Sequence, residues 1–195
     1  GSSINALDAQ YLELSPYAIP AAKQTTLLER LQQTAWADAD SHQLVDNVLE
    51  SIIDKSAFPQ AQLPAYQDFF NSLAAQPDLA AVMTLIQQHG SDDKWFATSR
   101  NKLLQGSPIS AHILYRQISE FNDLSLAECF RLELDLAVSV CLKGDLQEGV
   151  RALLVDKDNQ PQWHYKDCSA VPSAFIDEIC QRPCSNSAHP LAKLG

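Results

Sequence analysis

Two helix-start signatures flanking a single glycine constrain this chain more than any other feature. Ser125-x-x-Glu128 is a capping box, in which the hydroxyl and the carboxylate satisfy each other's orphan backbone N–H groups. Asp145-x-x-Glu148 repeats the spacing directly after Gly144, a residue suited to closing a helix. The spacing predicts a long amphipathic helix, a sharp turn and a second helix, with Asp145 and Glu148 as cap residues. Ser107-Pro108 predicts another start, an N-cap followed by Pro in the first helical turn.

The same reading extends along the chain. Ile4–Leu14 predicts a short helix, and Tyr17–Pro20 an extended piece, because Pro disfavours a helical residue before it. Thr26-x-x-Glu29 predicts a boxed start leading into Leu27, Leu28 and Leu31. From Ser41 the residues Leu44, Val45, Val48, Leu49, Ile52 and Ile53 recur with the steps of a buried helical stripe. Pro64 and Pro77 begin helices carrying Phe69 and Leu73, and Leu79, Val82 and Ile86; Gly90 closes the second. Trp95, Phe96, Leu103 and Leu104 face inward on the next. After Pro108, Ala111, Leu114, Ile118 and Phe121 share one side. On the long helix Ala127, Phe130, Leu134, Ala137 and Cys141 form the inward stripe. That leaves Glu128, Arg131 and Asp135 outside for surface pairs of about 0.3 kcal/mol each. Ser173–Cys180 is a last short helix, followed by a polar tail expected to be mobile. With only 6 Gly in 195 residues and no strand-like block, the fold class is mainly α.

Charge and motif content exclude several functions. A net charge of −10 lacks the basic footprint that nucleic acid or an anionic membrane needs. No apolar run approaches a membrane span and no signal peptide opens the chain, so a cytoplasmic location, or an organelle matrix, is expected. The 5 Cys are an odd number, which opposes a complete disulfide framework. Cys168, Cys180 and Cys184 lie near His189, but without a CxxC pair to anchor zinc. The histidines (His42, His89, His112, His164, His189) are scattered. No nucleophile elbow, P-loop or dinucleotide fingerprint occurs. Asp145 and Glu148 could serve as an acid/base pair, but the box spacing favours the capping role. The residues by themselves describe a helical domain without an active site.

The run Glu148-Gly-Val-Arg151-Ala152 through Val155-Asp156-Lys157-Asp158, followed by Pro161-x-Trp163, resembles the C-terminal end of the 3-hydroxyisobutyryl-CoA hydrolase family. That family belongs to the crotonase (enoyl-CoA hydratase/isomerase) superfamily. The resemblance reaches back through Leu124-Ser-Leu-Ala-Glu128 with Glu133, Arg116-Gln117 and Ser107-Pro108-x-Ser110. At the other end, Asp8-Ala9-x-Tyr11-x-x-Leu14 up to Ile19-Pro20 is similar to the segment closing the crotonase core. The family usually has Gly at position 13 and Asp at position 16, where this chain has Glu13 and Pro16.

The resemblance implies the helical C-terminal part of a crotonase-type enzyme with the ββα core absent. It implies four segments: 1–22 ending the core, 23–106 a helical insert, 107–165 a C-terminal helical domain, and 166–195 a short helix and tail. The implied reaction is hydrolysis of a short branched 3-hydroxyacyl-CoA, as in valine breakdown, with no metal or redox cofactor and CoA entering as part of the substrate. The catalytic Glu and Asp are expected upstream of Gly1, so no catalytic residue is carried over and the chain alone is expected to be inactive. Lys157 is the one substrate-binding residue carried over, facing the CoA phosphates; the bland alternative is a solvated charge between Asp156 and Asp158. Arg151 and Glu148 are expected to brace the turn. The implied partners are the acyl-CoA, the missing core and a second copy in a homo-oligomer. The competing readings are a hydratase or isomerase of the same superfamily, and a free-standing helical interaction module.

Overall fold

The computed structural model describes residues 2–36, 40–181 and 188–194. Among them there is no strand and 63% are helical, so the chain is mainly α. The chain divides into two compact units, residues 2–75 and 76–195.

The first unit contains helices α1 (Ala6–Tyr11), α2 (Gln24–Gln33), α3 (Ser41–Glu50) and α4 (Gln67–Ala74), and Ala18, Ile52 and Leu63 are buried in it. The start of α1 is an Asn5/Asp8 capping box, the amide and the shorter acid standing where Ser/Thr and Glu/Gln are usual. Asp8 does more than cap. It is fully buried, and its carboxylate also accepts the backbone N–H groups of Gln62 at 2.6 Å and Leu63 at 2.9 Å. Burial pushes its pKa up, but the N–H donors of Leu63, Asn5 and Gln62 outweigh burial and hold it below the ordinary value. α1 ends in a Schellman turn: Leu14 N–H reaches Ala9 O and Glu13 N–H reaches Gln10 O, with Glu13 at φ 57°.

The Thr26/Glu29 box does not form. A 3₁₀ turn, Ala21–Lys23, runs straight into α2 at Gln24, so the helix reaches back to Pro20 and Thr26 lies inside it. The Ser41 start holds, with Asp40 as the cap that accepts the His42 N–H. Ile52 is buried as expected, although α3 stops at Glu50 and the turn after it carries Ile52 inward.

The second unit contains α5 (Leu79–Gln88), α6 (Lys94–Leu104), α7 (Pro108–Glu120), α8 (Leu126–Leu142), α9 (Leu146–Val150) and α10 (Ser173–Cys180). Its core joins Ile109 and Ile113 of α7, Leu132 and Leu136 of α8, and Val171, Ile176 and Ile179 around α10. Ser107 caps α7 and the Ser125/Glu128 box caps α8, both as the sequence predicts. Gly144 follows α8 without adopting positive φ. A Cβ there would sit 3.1 Å from the Val140 Cα and carbonyl oxygen, so close approach is what favours glycine.

The helical phase of α7 and α8 differs from expectation. Leu114 and Ile118 are exposed, as are Phe130, Ala137 and Cys141, while Leu132 and Leu136 enter the core. Both helices carry apolar residues on opposite sides, and the packing uses the stripe that the spacing argument passed over. Leu104, expected inward on α6, is likewise exposed. The predicted outer face of α8 is occupied too. Asp135 is buried, 3.3 Å from the buried His189 Nε2, and Arg131 donates to the carbonyls of Leu191 and Leu194. Residues 188–194 therefore lie along α8; Cys184 falls outside the described residues.

Candidate functional site

The Asp145–Trp163 stretch is built around Arg151. After α9 the backbone continues as a π-turn, Arg151–Val155, closed by Asp156 N–H on Arg151 O at 2.8 Å. The Arg151 guanidinium grips Glu148 with two bonds, 2.9 and 2.8 Å, in the i, i+3 pairing that the sequence suggests. It also reaches Asp156 at 2.5 Å, Asp158 at 2.8 Å and the Gln160 carbonyl at 3.1 Å. Glu148 accepts the Gln162 N–H at 2.6 Å, tying the outgoing strand of chain to α9. Trp163 lies over Gly149 and donates from its indole to Gln105 O at 2.8 Å.

Electrostatics follow this geometry. The Arg151 guanidinium first, and then the Gln162 N–H, draw the Glu148 pKa from 4.5 down to about 2, against the opposing pull of desolvation. Asp158 is lowered by Arg151 and by the Gln160 N–H. Arg151 is raised in turn, chiefly by Glu148.

Asp145 and Glu148 do not form a capping box. Asp145 makes no side-chain cap bond to α9; it is buried, accepts the Ser107 hydroxyl at 2.6 Å and accepts the His164 N–H at 2.9 Å. Glu148 is taken by Arg151 and Gln162. Two helix-start signals have become tertiary ties, because each carboxylate meets a better donor than the frayed end of a short helix. Both carboxylates are engaged in holding the turn to its neighbours.

Lys157 stands at the exit of the π-turn with φ 56°, exposed, two residues before Asn159 at φ 53°. Its neighbours Asp156 and Asp158 are both turned onto Arg151, and the ammonium has no ion-pair partner among the described residues. The flanking acids therefore do not neutralise it. A cleft of about 370 Å³ in the same unit is lined by Met83, Leu103, Pro108, Ala111, Lys166 and Cys168 among others, and by no residue of the Arg151 turn. Lys157 sits on open surface.

The other flagged groups do not converge. His112 bonds the Cys168 carbonyl, His164 stacks with Phe175 and meets Tyr165 at a tilt, and His89 packs on Phe96. Among the described residues no three His, Cys, Asp or Glu meet as a metal set. The buried hubs Asp8 and Asp145 were visible in the sequence only as a residue of the resemblance motif and as a helix-start residue, since their long-range donors lie 54 and 38 residues away.

Residues 1–180 match the enoyl-CoA hydratase/isomerase family. This chain belongs to that family. Curated hydratase/isomerase-family relatives bear a narrower name. The Arabidopsis thaliana 3-hydroxyisobutyryl-CoA hydrolase-like protein 5 is 24% identical over 92% of this chain and 47% of its own length. The mitochondrial 3-hydroxyisobutyryl-CoA hydrolase of Bos taurus is 32% identical over 75% of this chain and 38% of its own. The Gallus gallus enzyme of the same name is 32% identical over 64% and 32%. Among solved structures, an enoyl-CoA hydratase from Rhodobacter sphaeroides superposes with a TM-score of 0.68 at 21% identity, over 90% of this chain and 47% of its own, which shows a shared fold. The present family member thus spans about half the length of these relatives or less. It resembles 3-hydroxyisobutyryl-CoA hydrolase and enoyl-CoA hydratase, in a superfamily of enzymes acting on CoA thioesters. Among its described residues no helix is long and apolar enough to cross a membrane.

Proposed function

We propose that this chain is the C-terminal helical part of an acyl-CoA thioester hydrolase resembling 3-hydroxyisobutyryl-CoA hydrolase, acting in valine breakdown. The observation that supports it is the Glu148–Trp163 run, folded as one Arg151-clasped turn with an unpaired ammonium in front, in a chain whose curated relatives carry that enzyme's name. The catalytic carboxylates and the oxyanion-hole N–H groups belong to segments outside these residues. Loss of a single oxyanion donor costs about 10²–10³ in rate, so the chain alone is inactive. The segments 1–22, 23–106, 107–165 and 166–195 are the end of the core, the insert, the covering helical domain and the tail. Lys157 attracts the CoA phosphates. The turn holds three carboxylates against two cations, so the attraction is local to the ammonium and falls with salt.

The partners in this reading are the acyl-CoA, the upstream core and further copies of the same enzyme, with no nucleic acid or membrane. The compartment is the cytoplasm; several relatives are named mitochondrial, and fractionation of the native protein decides between the two. A hydratase or isomerase activity is the second reading, favoured by the description of the solved neighbour. Co-expression of this chain with the unmatched part of the Arabidopsis relative tests all of this. Hydrolysis of 3-hydroxyisobutyryl-CoA releases a free thiol, whereas hydration of an enoyl-CoA removes its conjugated chromophore and releases none. A folded complex that does neither leaves the non-catalytic interaction module standing.

A further inference from the structure

The cleft of about 370 Å³ in the second unit is walled by four pieces of chain. On α5, Leu79 and Ile86 are buried, whereas Ala80, Met83, Thr84 and Gln87 line the cleft. Their i, i+3, i+4 and i+7 spacing places them on one helical face. The end of α6 adds Leu103 and Leu104, α7 adds Pro108 and Ala111, and residues 166–169 close the remaining side. These walls are pinned by the protein itself. The Ser107 hydroxyl donates to buried Asp145, and the Trp163 indole donates to Gln105 O between α6 and α7. A His112 ring nitrogen bonds the Cys168 carbonyl at 2.9 Å, and Asp167 accepts the Ser169 and Ala170 N–H groups. A largely apolar cleft of this size, formed before its ligand arrives, is the usual shape of a small-molecule site.

The lining also determines what fits. Its hydroxyl protons are spent on the protein: Thr84 donates to Ala80 O, Ser107 to Asp145 and Ser169 to Asp167. A ligand therefore meets the carbon surface of Met83, Leu103, Leu104, Pro108 and Ala111, and one cation, Lys166. Lys166 is exposed and has no ion-pair partner among the described residues, and the neighbouring Asp167 is turned onto Ser169 and Ala170. A lysine stem lies along apolar surface while its ammonium stays in water, so the charge belongs at the mouth and the hydrocarbon inside. We infer that this cleft binds a small amphiphilic carboxylate, with its apolar body between α5 and α7 and its carboxylate at Lys166. The chain's charge of −10 repels anions at a distance, so the attraction acts at contact and falls with salt. The site shares no residue with the Arg151 turn and does not depend on the proposed function.

Met83 is the single methionine of the sequence, so carbon-13 labelling of methionine methyl groups gives one resonance, and it reports from the cleft. Octanoate titrated into the full chain is expected to shift that resonance saturably. It also slows alkylation of Cys168 several-fold, while Cys141, exposed on α8, reacts as before. Octan-1-ol, with a tail of the same length and no charge, binds several-fold more weakly; acetate, with the charge and no tail, gives no shift. Lys166→Ala costs octanoate several-fold in affinity at low salt and nothing at high salt, where exposed charges are screened. Lys94→Ala removes the same charge from the far end of α6 and costs nothing. Ala111→Phe fills the cleft and abolishes the shift, with helical circular dichroism unchanged. Absence of a shift at millimolar octanoate overturns the assignment. So does a shift that survives in Ala111→Phe, which is adsorption to apolar surface elsewhere. Equal affinity for octanoate and octan-1-ol, or for octanoate in Lys166→Ala at low salt, removes the carboxylate from the proposal and so refutes it. Displacement of octanoate by free CoA would make the cleft part of a CoA site and overturns its independence.

Discussion

The Asp145 carboxylate receives the Ser107 hydroxyl at 2.6 Å, joining residues 38 apart in sequence. The same hydroxyl accepts the Ser110 N–H at 3.1 Å, so the cap of α7 is held in place by the residue that opens α9. A third strand of chain is secured when Asp145 takes the His164 N–H at 2.9 Å. Replacing Asp145 by Ala strands two donors next to a buried site, and each unsatisfied group costs about 1–3 kcal/mol. Asp145→Ala is expected to destabilise the second unit by about 3 kcal/mol, and Ser107→Ala by about 1 kcal/mol through the lost cap. Urea unfolding checks both, and equal effects for the two variants would show that Asp145 acts through Ser107 alone.

Glu148 predicts a pH dependence with a definite sign. Its pKa in the folded chain is depressed from 4.5 to about 2, so its contribution is fully present above pH 4.5 and is lost as pH falls through about 2. The carboxyl is solvent-accessible, so the effect is read locally. The Gln162 amide, bonded to Glu148 at 2.6 Å, is expected to titrate in an NMR pH series with a midpoint near 2. In Arg151→Lys the two-pronged grip is gone and the midpoint rises towards the ordinary carboxylate value. A midpoint indifferent to Arg151 would refute the assigned cause.

How far the sequence revealed this fold is clearest at its boundaries. The Ser107 and Ser125 starts and the Ser173–Cys180 helix were legible because caps and helix breakers act locally. The phase of α7 and α8 was not. With two apolar stripes on each helix, period alone cannot tell which one meets Ile176 and Ile179 across the core. The box at Asp145 misled for a related reason: a carboxylate that suits a cap equally suits a distant hydroxyl, and only tertiary structure brings Ser107 within reach. The candidate site was half legible. The Glu148–Arg151 pair follows from spacing, whereas the recruitment of Asp156 and Asp158 depends on the π-turn.

Glu13 occupies the left-handed position of a Schellman turn, φ 57°, which Gly most often fills. A non-glycine residue there costs roughly 1–2 kcal/mol. Glycine returns roughly 0.4–1 kcal/mol of that to the unfolded chain's entropy. The strain outweighs the entropy, so Glu13→Gly is expected to stabilise the first unit by about 0.5 kcal/mol. Ala at the same site keeps the strain and gains nothing. Denaturant midpoints of the two variants, compared at unchanged m, test the ordering.

The same backbone argument separates the two roles open to Lys157, which lies at φ 56°. Lys157→Gly removes the ammonium and relieves the left-handed strain together. Its stability is therefore expected to hold or rise by about 0.5 kcal/mol. If the side chain were only a solvated charge, nothing else would change. If it attracts CoA phosphates, the reconstituted complex loses several-fold in affinity for CoA, and the loss shrinks as salt is added because exposed charges are screened within about 10 Å at 0.1 M. Lys157→Ala provides the control, losing the same affinity without the gain in stability. Calorimetric titration of CoA into the three forms, at low and high salt, distinguishes the cases. Unchanged affinity in both variants would leave Lys157 as a helix-exit residue and nothing more.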